Sequence, residues 1–421
     1  SMPVRDPGGT LGAVAAGVLS WRRNLAALTA ASFIGFTGFT LVMPFLPLYI
    51  AELGVRDVGR IALWTGMTLG VTPALTALLA PAWGRLADRF GRKLMVARSL
   101  ASFVVIMAAM AWVTSPWHLF ALRAVQGLFA GYGALCLAMA ADSSPRDRIA
   151  QSIGMVQTAQ RLGPALGPVL GGLVAGAVGL RAAFLVTSVF YLVALVQLLV
   201  LYHEPGEHHA SAAAAPSRVT FANVLAFENF LLLMAAIFGL QFVDRSFGPV
   251  LPLHVASLGV RPSHVAVVSG VVFSTLACSA AVGHHVCARL LRRWSARVVI
   301  SRAALVAAFA VALFLVVGNA WALVPTAAVF GGCIGAAMTA AYAAAAGVVP
   351  ATVRGASFGF LSSASLAGLA LSPAICGFLA ATDIRIVFAA DALALCVLAM
   401  LVRRVMVEHP RVTETPVVAD A

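Results

Sequence analysis

The sequence predicts an all-α membrane protein with twelve transmembrane helices in two pseudo-symmetric six-helix halves. Three observations carry that prediction. First, 61% of the 421 residues are hydrophobic and only 10% are charged, whereas a soluble globular domain carries about 25% charged residues. With a mean hydropathy of +0.97, too few polar side chains remain to cover a water-facing surface. A soluble enzyme, a disordered chain and a fibrous repeat are thereby excluded. Second, apolar runs recur at intervals of about 35 residues, room for the roughly 20 apolar residues of a spanning helix plus a short connector. Third, the two halves of the chain share residues at a fixed offset.

The spans are read at 25–50, 61–82, 94–113, 117–141, 150–177 and 182–203, then at 229–256, 264–288, 299–317, 321–348, 357–381 and 386–402. They are helices because backbone groups in hydrocarbon must find their partners within the segment. The chain so divides into a tail (1–24), a six-helix half (25–203), a linker (204–228), a second six-helix half (229–402) and a tail (403–421). The linker region HEPGEHHASAAAAPSR is polar and rich in small residues. His208 and His209 within it have no third ligand at a recognisable spacing, so a solvated linker is preferred to a metal site. Ser1 ahead of Met2 reads as an expression remnant, and the first apolar run is too long for a cleavable signal peptide.

A net charge of +13 would point to nucleic acid in a soluble protein. Here the basic residues sit in short loops, where they set orientation. With both termini cytoplasmic, eighteen of the 28 Lys and Arg residues fall on the cytoplasmic side, five outside and five within spans. The bias predicts a multi-pass protein of the inner (plasma) membrane with both termini inside. Tryptophans such as Trp21, Trp83, Trp117 and Trp321 fall near span ends, as interfacial anchors do. The 6 cysteines lie inside apolar stretches without zinc spacing or a disulfide framework, and read as small apolar residues.

The repeat is specific. Pro44 and Pro47, then Gly54 and Val55, recur as Pro249, Pro252, Gly259 and Val260. The same offset relates Gly154, Pro168 and Gly172 of the fifth span to Gly359, Pro373 and Gly377 of the eleventh. Parallel six-helix repeats imply a pseudo-two-fold axis along the membrane normal and a central path between the halves.

Three motifs narrow the reading. The loop after the second span reads Gly84-Arg-Leu-Ala-Asp88-Arg89-Phe-Gly91-Arg92-Lys93, in which glycines allow close approach and a tight turn and one carboxylate sits among cations. The fourth span holds Arg123-Ala-Val-Gln126-Gly127. The fifth holds Gly154, Gly163 and Gly167-Pro168-Val-Leu-Gly171-Gly172. Its Gly163, Gly167 and Gly171 form a face that another helix backbone can approach, and Pro168 can bend the helix.

These motifs resemble those of the major facilitator superfamily, and the fifth-span pattern resembles that of its drug:proton antiporter branch. Leu41-Val-Met-Pro44-Phe-Leu-Pro47-Leu-Tyr49 and Trp21-Arg-Arg-Asn24-Leu25 are similar to the MdtG-like multidrug efflux transporters of that branch. The resemblance implies the major facilitator fold and a proton-coupled exporter of small amphipathic compounds working by alternating access. It implies an inner latch of Gly84, Asp88, Arg89, Gly91, Arg92 and Lys93, with Asp88 reaching the start of the eleventh span near Gly355. It also implies packing of the fifth-span glycines on the eighth span, and a fourth-span arginine linked to proton coupling. The second half departs from the pattern: Gly283-His284-His285-Val-Cys-Ala-Arg289 lacks the acid, and Ser372 and Cys376 replace Gly167 and Gly171. Gly355-Ala-Ser357-Phe-Gly359 fits a hydrolase elbow only as a string, since that motif needs a strand–turn–helix setting; the chain is not read as an enzyme.

Charges within the bilayer are costly and point to function. Arg98 and Arg302 lie near inner ends and can snorkel, and Asp391 near the outer end of the last span reads as structural. Asp244 is the acid placed deepest, with Arg123 expected at similar height. Either Asp244 carries the proton with Arg123 modulating it, or the two form a permanent ion pair. Phe36, Phe39, Met43, Arg161, Phe242, Arg245 and Phe247 are the candidate cavity residues, and His284 and His285 read as interfacial. Three deep arginines against one aspartate leave the alternative of an anionic metabolite as cargo. A receptor or intramembrane enzyme is the reading from another class, disfavoured by the repeat. Protons, a small molecule and the lipid bilayer are the expected partners of a monomer. The proton gradient is the energy source; no cofactor, metal or nucleic acid is expected.

Overall fold

The computed structural model describes residues 7–145, 148–203, 227–349 and 354–407, without the side chains of 7–20, 80, 81, 84, 88, 150 and 354–356. Among the described residues, twelve helices are long and apolar enough to cross a membrane. The first span is Pro7–Leu41 followed by the short helix Leu46–Glu52. The second and third are Val58–Phe90 and Arg92–Met110. The fourth is split into Pro116–Phe129 and Tyr132–Asp142. The fifth and sixth are Ile149–Val178 and Leu180–Leu201. The seventh to ninth are Phe230–Ser257, Pro262–Arg293 and Ala296–Leu313. Leu323–Val348, Arg354–Ala380 and Ile384–Val405 complete the set.

Three departures from the sequence reading have local causes. The first helix starts at Pro7, ahead of its apolar window Trp21–Leu41, and it is interrupted after Leu41. Pro44 and Pro47 have no N–H to donate, and the chain turns through Met43 N–H to Thr40 O (3.1 Å) and Leu46 N–H to Val42 O (3.0 Å). Tyr49 then anchors the short helix by donating to Met110 O at 2.7 Å. Pro249 and Pro252, the repeat partners of these prolines, leave the seventh span as one helix. The fourth span breaks at Gly131, whose φ of +116° suits glycine.

A second repeated device holds each half together. Asn24 Nδ2 donates to His203 O (2.6 Å) and Asn24 Oδ1 accepts from His203 N (2.9 Å). Asn229 makes the same pair of bonds with Val407, both 2.9 Å. Each asparagine clamps the start of its half to the chain leaving its last helix.

The halves meet backbone to backbone. A Cβ on Gly70 of the second span would lie 2.7 Å from Ala370 O of the eleventh, and one on Gly59 would lie 2.8 Å from the Ala381 carbonyl carbon. On the other side, a Cβ on Gly172 of the fifth span would lie 2.9 Å from the Ala266 carbonyl carbon of the eighth, and one on Gly270 would lie 3.0 Å from that of Pro168. Val169 N–H adds a bond to Ser274 Oγ at 3.0 Å. All these contacts lie toward the ends that carry Asp57, Gly179, Arg261 and Asp383. Gly154 and Gly359, toward the other ends of the fifth and eleventh spans, have nothing within 4 Å of a built Cβ. The structure is therefore closed at the end opposite the termini.

The Gly163, Gly167 and Gly171 face packs on the first span, which corrects the expectation that it meets the eighth. Cβ atoms there would lie 2.7 Å from Thr37 N, 2.6 Å from Thr37 O and 2.7 Å from the Leu41 carbonyl carbon. Pro168 and Gly172 sit one residue further round and are the ones that face the eighth span. Replacing Gly167 with Leu overpacks a backbone contact and should cost about 1–3 kcal/mol. Thermal unfolding of the purified protein should show a lowered melting temperature for Gly167→Leu and none for Gly154→Leu; equal effects would mean that this face is open.

Candidate functional site

Between the halves lies a cavity of about 530 Å³. Phe36, Phe39, Thr40 and Met43 line it from the first span, Gln160 and Arg161 from the fifth, and Gln241, Asp244 and Arg245 from the seventh. His284, Met338, Tyr342 and Ser365 come from the eighth, tenth and eleventh. Pro164 and Pro168 border it, so the proline-bearing part of the fifth span forms its wall. The lining is aromatic and aliphatic with a few convergent polar groups, the usual make-up of a small-molecule site.

Of the seven candidate cavity residues, Phe36, Phe39, Met43, Arg161 and Arg245 line this space. Phe242 and Phe247 do not. Phe247 is 1% exposed and packs against Phe314, Phe330 and Phe388 at 5.0–5.7 Å. Phe242 pairs with Phe238 at 6.0 Å. On a helix, residues 244 and 245 face the cavity while 247 turns away from it.

The expected pairing of Asp244 with Arg123 is not formed. Asp244 Oδ2 lies 3.2 Å from Nε of its neighbour Arg245. Arg123 is 2% exposed, donates to Gln126 Oε1 at 2.9 Å and lies 6.0 Å from the centre of the Phe39 ring. It has no carboxylate partner among the described residues, and its Nε is unpaired, as are Gln126 Nε2, Tyr132 Oη and Tyr191 Oη. Tyr191 is its electrostatic neighbour. Among the described acids, Asp391 of the last span, 2% exposed, is more buried than Asp244 and meets the Ser246 hydroxyl.

At the inner ends, the Asp88 side chain and the surroundings of Gly84 lie outside the described residues, as do the side chains of 354–356, where Asp88 was expected to reach. Gly91, at φ +94°, ends the second span and starts the third. Arg92 pairs with Asp142 at the end of the fourth span, an acid the motif did not point to. Lys93 donates to Tyr202 O at 2.7 Å, and Arg89 lies 5.3 Å from the Phe90 ring. Arg98 stacks on Trp83 at 3.5 Å and donates to Phe129 O at 3.2 Å.

Sequence reasoning missed Gln160, Gln241, Tyr342 and Ser365. Gln160 Nε2 donates to Gly133 O at 2.9 Å, and Ser365 donates to Gln241 Oε1 at 3.2 Å. The adjacent Gln160-Arg161 pair was a usable signal, since two polar residues deep in one span are rare. A lone Ser or Tyr in an apolar run gives none. No cluster of three His, Cys, Asp or Glu able to hold a metal occurs among the described residues.

The family model described as Major Facilitator Superfamily matches residues 28–324 and 233–421. Similar relatives include "Multidrug resistance protein MdtG" of Proteus mirabilis (strain HI4320), 30% identical over 255 residues, 61% of this chain and 63% of that protein. The "Multi-drug resistance efflux pump PmrA homolog" of Lactococcus lactis subsp. lactis (strain IL1403) is 29% identical over 272 residues, 65% of this chain and 67% of that protein. The matched region thus spans a little under two thirds of the first relative. Among solved structures, a bacterial homolog to the human lysosomal transporter Spinster, inward-facing and occupied, gives a TM-score of 0.77 at 16% identity, covering 91% of this chain and 96% of that one. The human organic anion transporter MFSD10 (TETRAN) gives 0.62 at 18% identity over 91% and 99%. At these identities the two structures share the fold.

The isolated Arg123 charge makes a stability prediction. A buried charge without a counter-charge is expensive, whereas an apolar side chain of similar length keeps the packing. Arg123→Met should leave the melting temperature of the purified protein unchanged or raise it. Arg123→Ala, which opens a void, should cost about 2–4 kcal/mol. Equal losses in both variants would show that the charge itself holds the fold.

Proposed function

The chain belongs to the Major Facilitator Superfamily, and from that membership we propose that it is a proton-coupled secondary active exporter of small amphipathic compounds, working by alternating access. One observation carries the reading: a cavity between the two halves, closed at one end by glycine contacts, with Asp244 as its carboxylate. The halves, 25–203 and 229–402, are the rocking units, joined by the linker 204–228. Both termini face the cytoplasm of a cell whose inner membrane holds the protein, on the strength of the loop charge bias. The closed end is then the outer one, and the cavity stands open to the inside. A monomer suffices, since the site lies within one chain, and the proton gradient supplies the energy.

In this reading Asp244 carries the proton. Arg245 lies beside it, its Nε 3.2 Å from the carboxylate. The inner latch of Gly84, Asp88, Arg89, Gly91, Arg92 and Lys93 holds the inner side shut when the protein faces outward. Arg92 and Asp142 already pair across the third and fourth spans there. A second reading keeps the transporter and changes the cargo: Arg161 and Arg245 against one Asp244 give the cavity a positive balance that suits an anionic metabolite.

Reconstituted in liposomes with an outward-to-inward proton gradient, Asp244→Asn should bind a test compound but lose uphill, proton-driven movement. Undiminished uphill transport with unchanged pH dependence would place the proton elsewhere. Acidic compounds competing better than basic ones would favour the anion reading.

A further inference from the structure

The eighth span carries two adjacent histidines, and the structure separates them. His285 is exposed, whereas His284 is half-buried and lines the cavity. Neighbouring residues on a helix point in different directions, so only one of the pair can face the other half. The ring of His284 is held in place. Its Nδ1 lies 2.6 Å from Thr339 Oγ1 of the tenth span, and Thr339 Oγ1 lies 3.0 Å from Gly335 O. The contact exists because the two spans nearly touch: Cβ atoms on Gly283 and Gly335 would lie 2.8 Å from the carbonyl carbons of Gly332 and Ala280.

Proton counting favours the Nδ1–H tautomer. A carbonyl oxygen only accepts, and threonine has one hydroxyl proton. Both contacts are satisfied together when that proton goes to Gly335 O and His284 Nδ1–H donates to Thr339. The lone pair of the neutral ring is then on Nε2. That atom has no hydrogen-bond partner among the described residues and is not sealed from solvent, on a residue that lines the cavity. Protonation there adds an N–H without disturbing the Thr339 bond, because Nδ1–H donates in both states.

The charged and titratable groups around the ring come from both halves. Asp244 of the seventh span and Arg161 of the fifth are its electrostatic neighbours. Arg245 and Tyr342 share the cavity, and His285 and Arg289 follow on its own span. The first and eleventh spans present Phe36, Phe39, Thr40, Met43, Ser365 and Leu369, none ionisable. Asp244 and His284 belong to the same half; Arg161 belongs to the other.

We propose that His284 is a second proton-binding group of the cavity, paired with Asp244 and sensed by Arg161. The step is the movement of a proton between water and the Nε2 lone pair; only an N–H bond forms or breaks. Asp244 stabilises the imidazolium and Arg161 opposes it. Rocking of the halves keeps the first distance and changes the second, so the conformation sets how firmly His284 holds its proton. The carboxylate and the imidazole then titrate as a coupled pair. The role in transport rests on the exporter reading above; the proton site itself does not.

The test uses the full chain in lipid nanodiscs with isotope-labelled histidine, read by NMR. The His284 signal is identified by its loss in His284→Asn, whose side-chain amide keeps a donor for Thr339. The signal should show the Nδ1–H tautomer at high pH and should titrate between about pH 5 and 8. Asp244→Asn and Arg161→Gln should move the midpoint by about one pH unit each, in opposite directions. A ring that stays in one protonation state over that range, an Nε2–H tautomer, or a midpoint the same in both variants would overturn the proposal. In liposomes with rhodamine 6G as probe, His284→Asn should shift the pH profile of proton-driven transport and His285→Asn should not; identical shifts would count against it. If the unmodified chain moves no dye, the exporter reading falls, and the NMR titration still decides the proton site.

Discussion

Close approach of helix backbones is the constraint on which the rest of the structure depends. In hydrocarbon there is no hydrophobic gain from pressing one apolar helix on another, so association relies on van der Waals contact and hydrogen bonds. The chain meets this with glycine at crossing points. Gly163, Gly167 and Gly171 seat the fifth span on the first, and Gly172 and Gly270 seat the fifth on the eighth. Gly66, Gly70 and Gly377 do the same for the second and eleventh. The fifth span thus serves two neighbours from adjacent residues. Its Pro164 and Pro168 border the cavity between those neighbours, so the packing that joins the halves also shapes the site.

Two settings of polar groups in the membrane contrast. Within the first half, Arg123 is enclosed with Gln126, Tyr132 and Tyr191, without a carboxylate among the described residues. In the cavity, Arg161, Asp244, Arg245 and His284 face one another with room for water or a small molecule. The first setting can change little when the halves rock, because its members belong to one half. The second draws from both halves and must change. Under the proposed exporter reading, coupling between proton and cargo belongs to the cavity.

Much of this was legible in the sequence. Composition gave the membrane class. The spacing of prolines and glycines gave the repeat, because those residues mark bends and contacts whatever surrounds them. The Asn24 and Asn229 clamps follow the same repeat, yet one asparagine per half carries no signal until its partner is seen. Partner identity was harder. Gly167 was recognised as a contact residue but assigned to the wrong neighbour, since a glycine face says that a helix approaches and not which one. Helix rise places Asp244 and Arg123 at similar depth, but depth along the membrane normal says nothing of rotation about each helix axis. Phe247 and His284 show the same limit: one turns into an aromatic core, the other from an expected interface into the cavity.

On the alternating-access reading, the two halves close at one end while opening at the other around this cavity. Spin labels at Met155 and Arg289 report the inner ends of the fifth and eighth spans, and labels at Val178 and Ser263 report their outer ends. Pulsed electron–electron distance measurements in nanodiscs, across a change of pH, test the claim most directly. The account predicts a short outer and a long inner distance in the state described, exchanging together as the inner pair closes. Distances that stay fixed, or that lengthen and shorten in step at both ends, would contradict it.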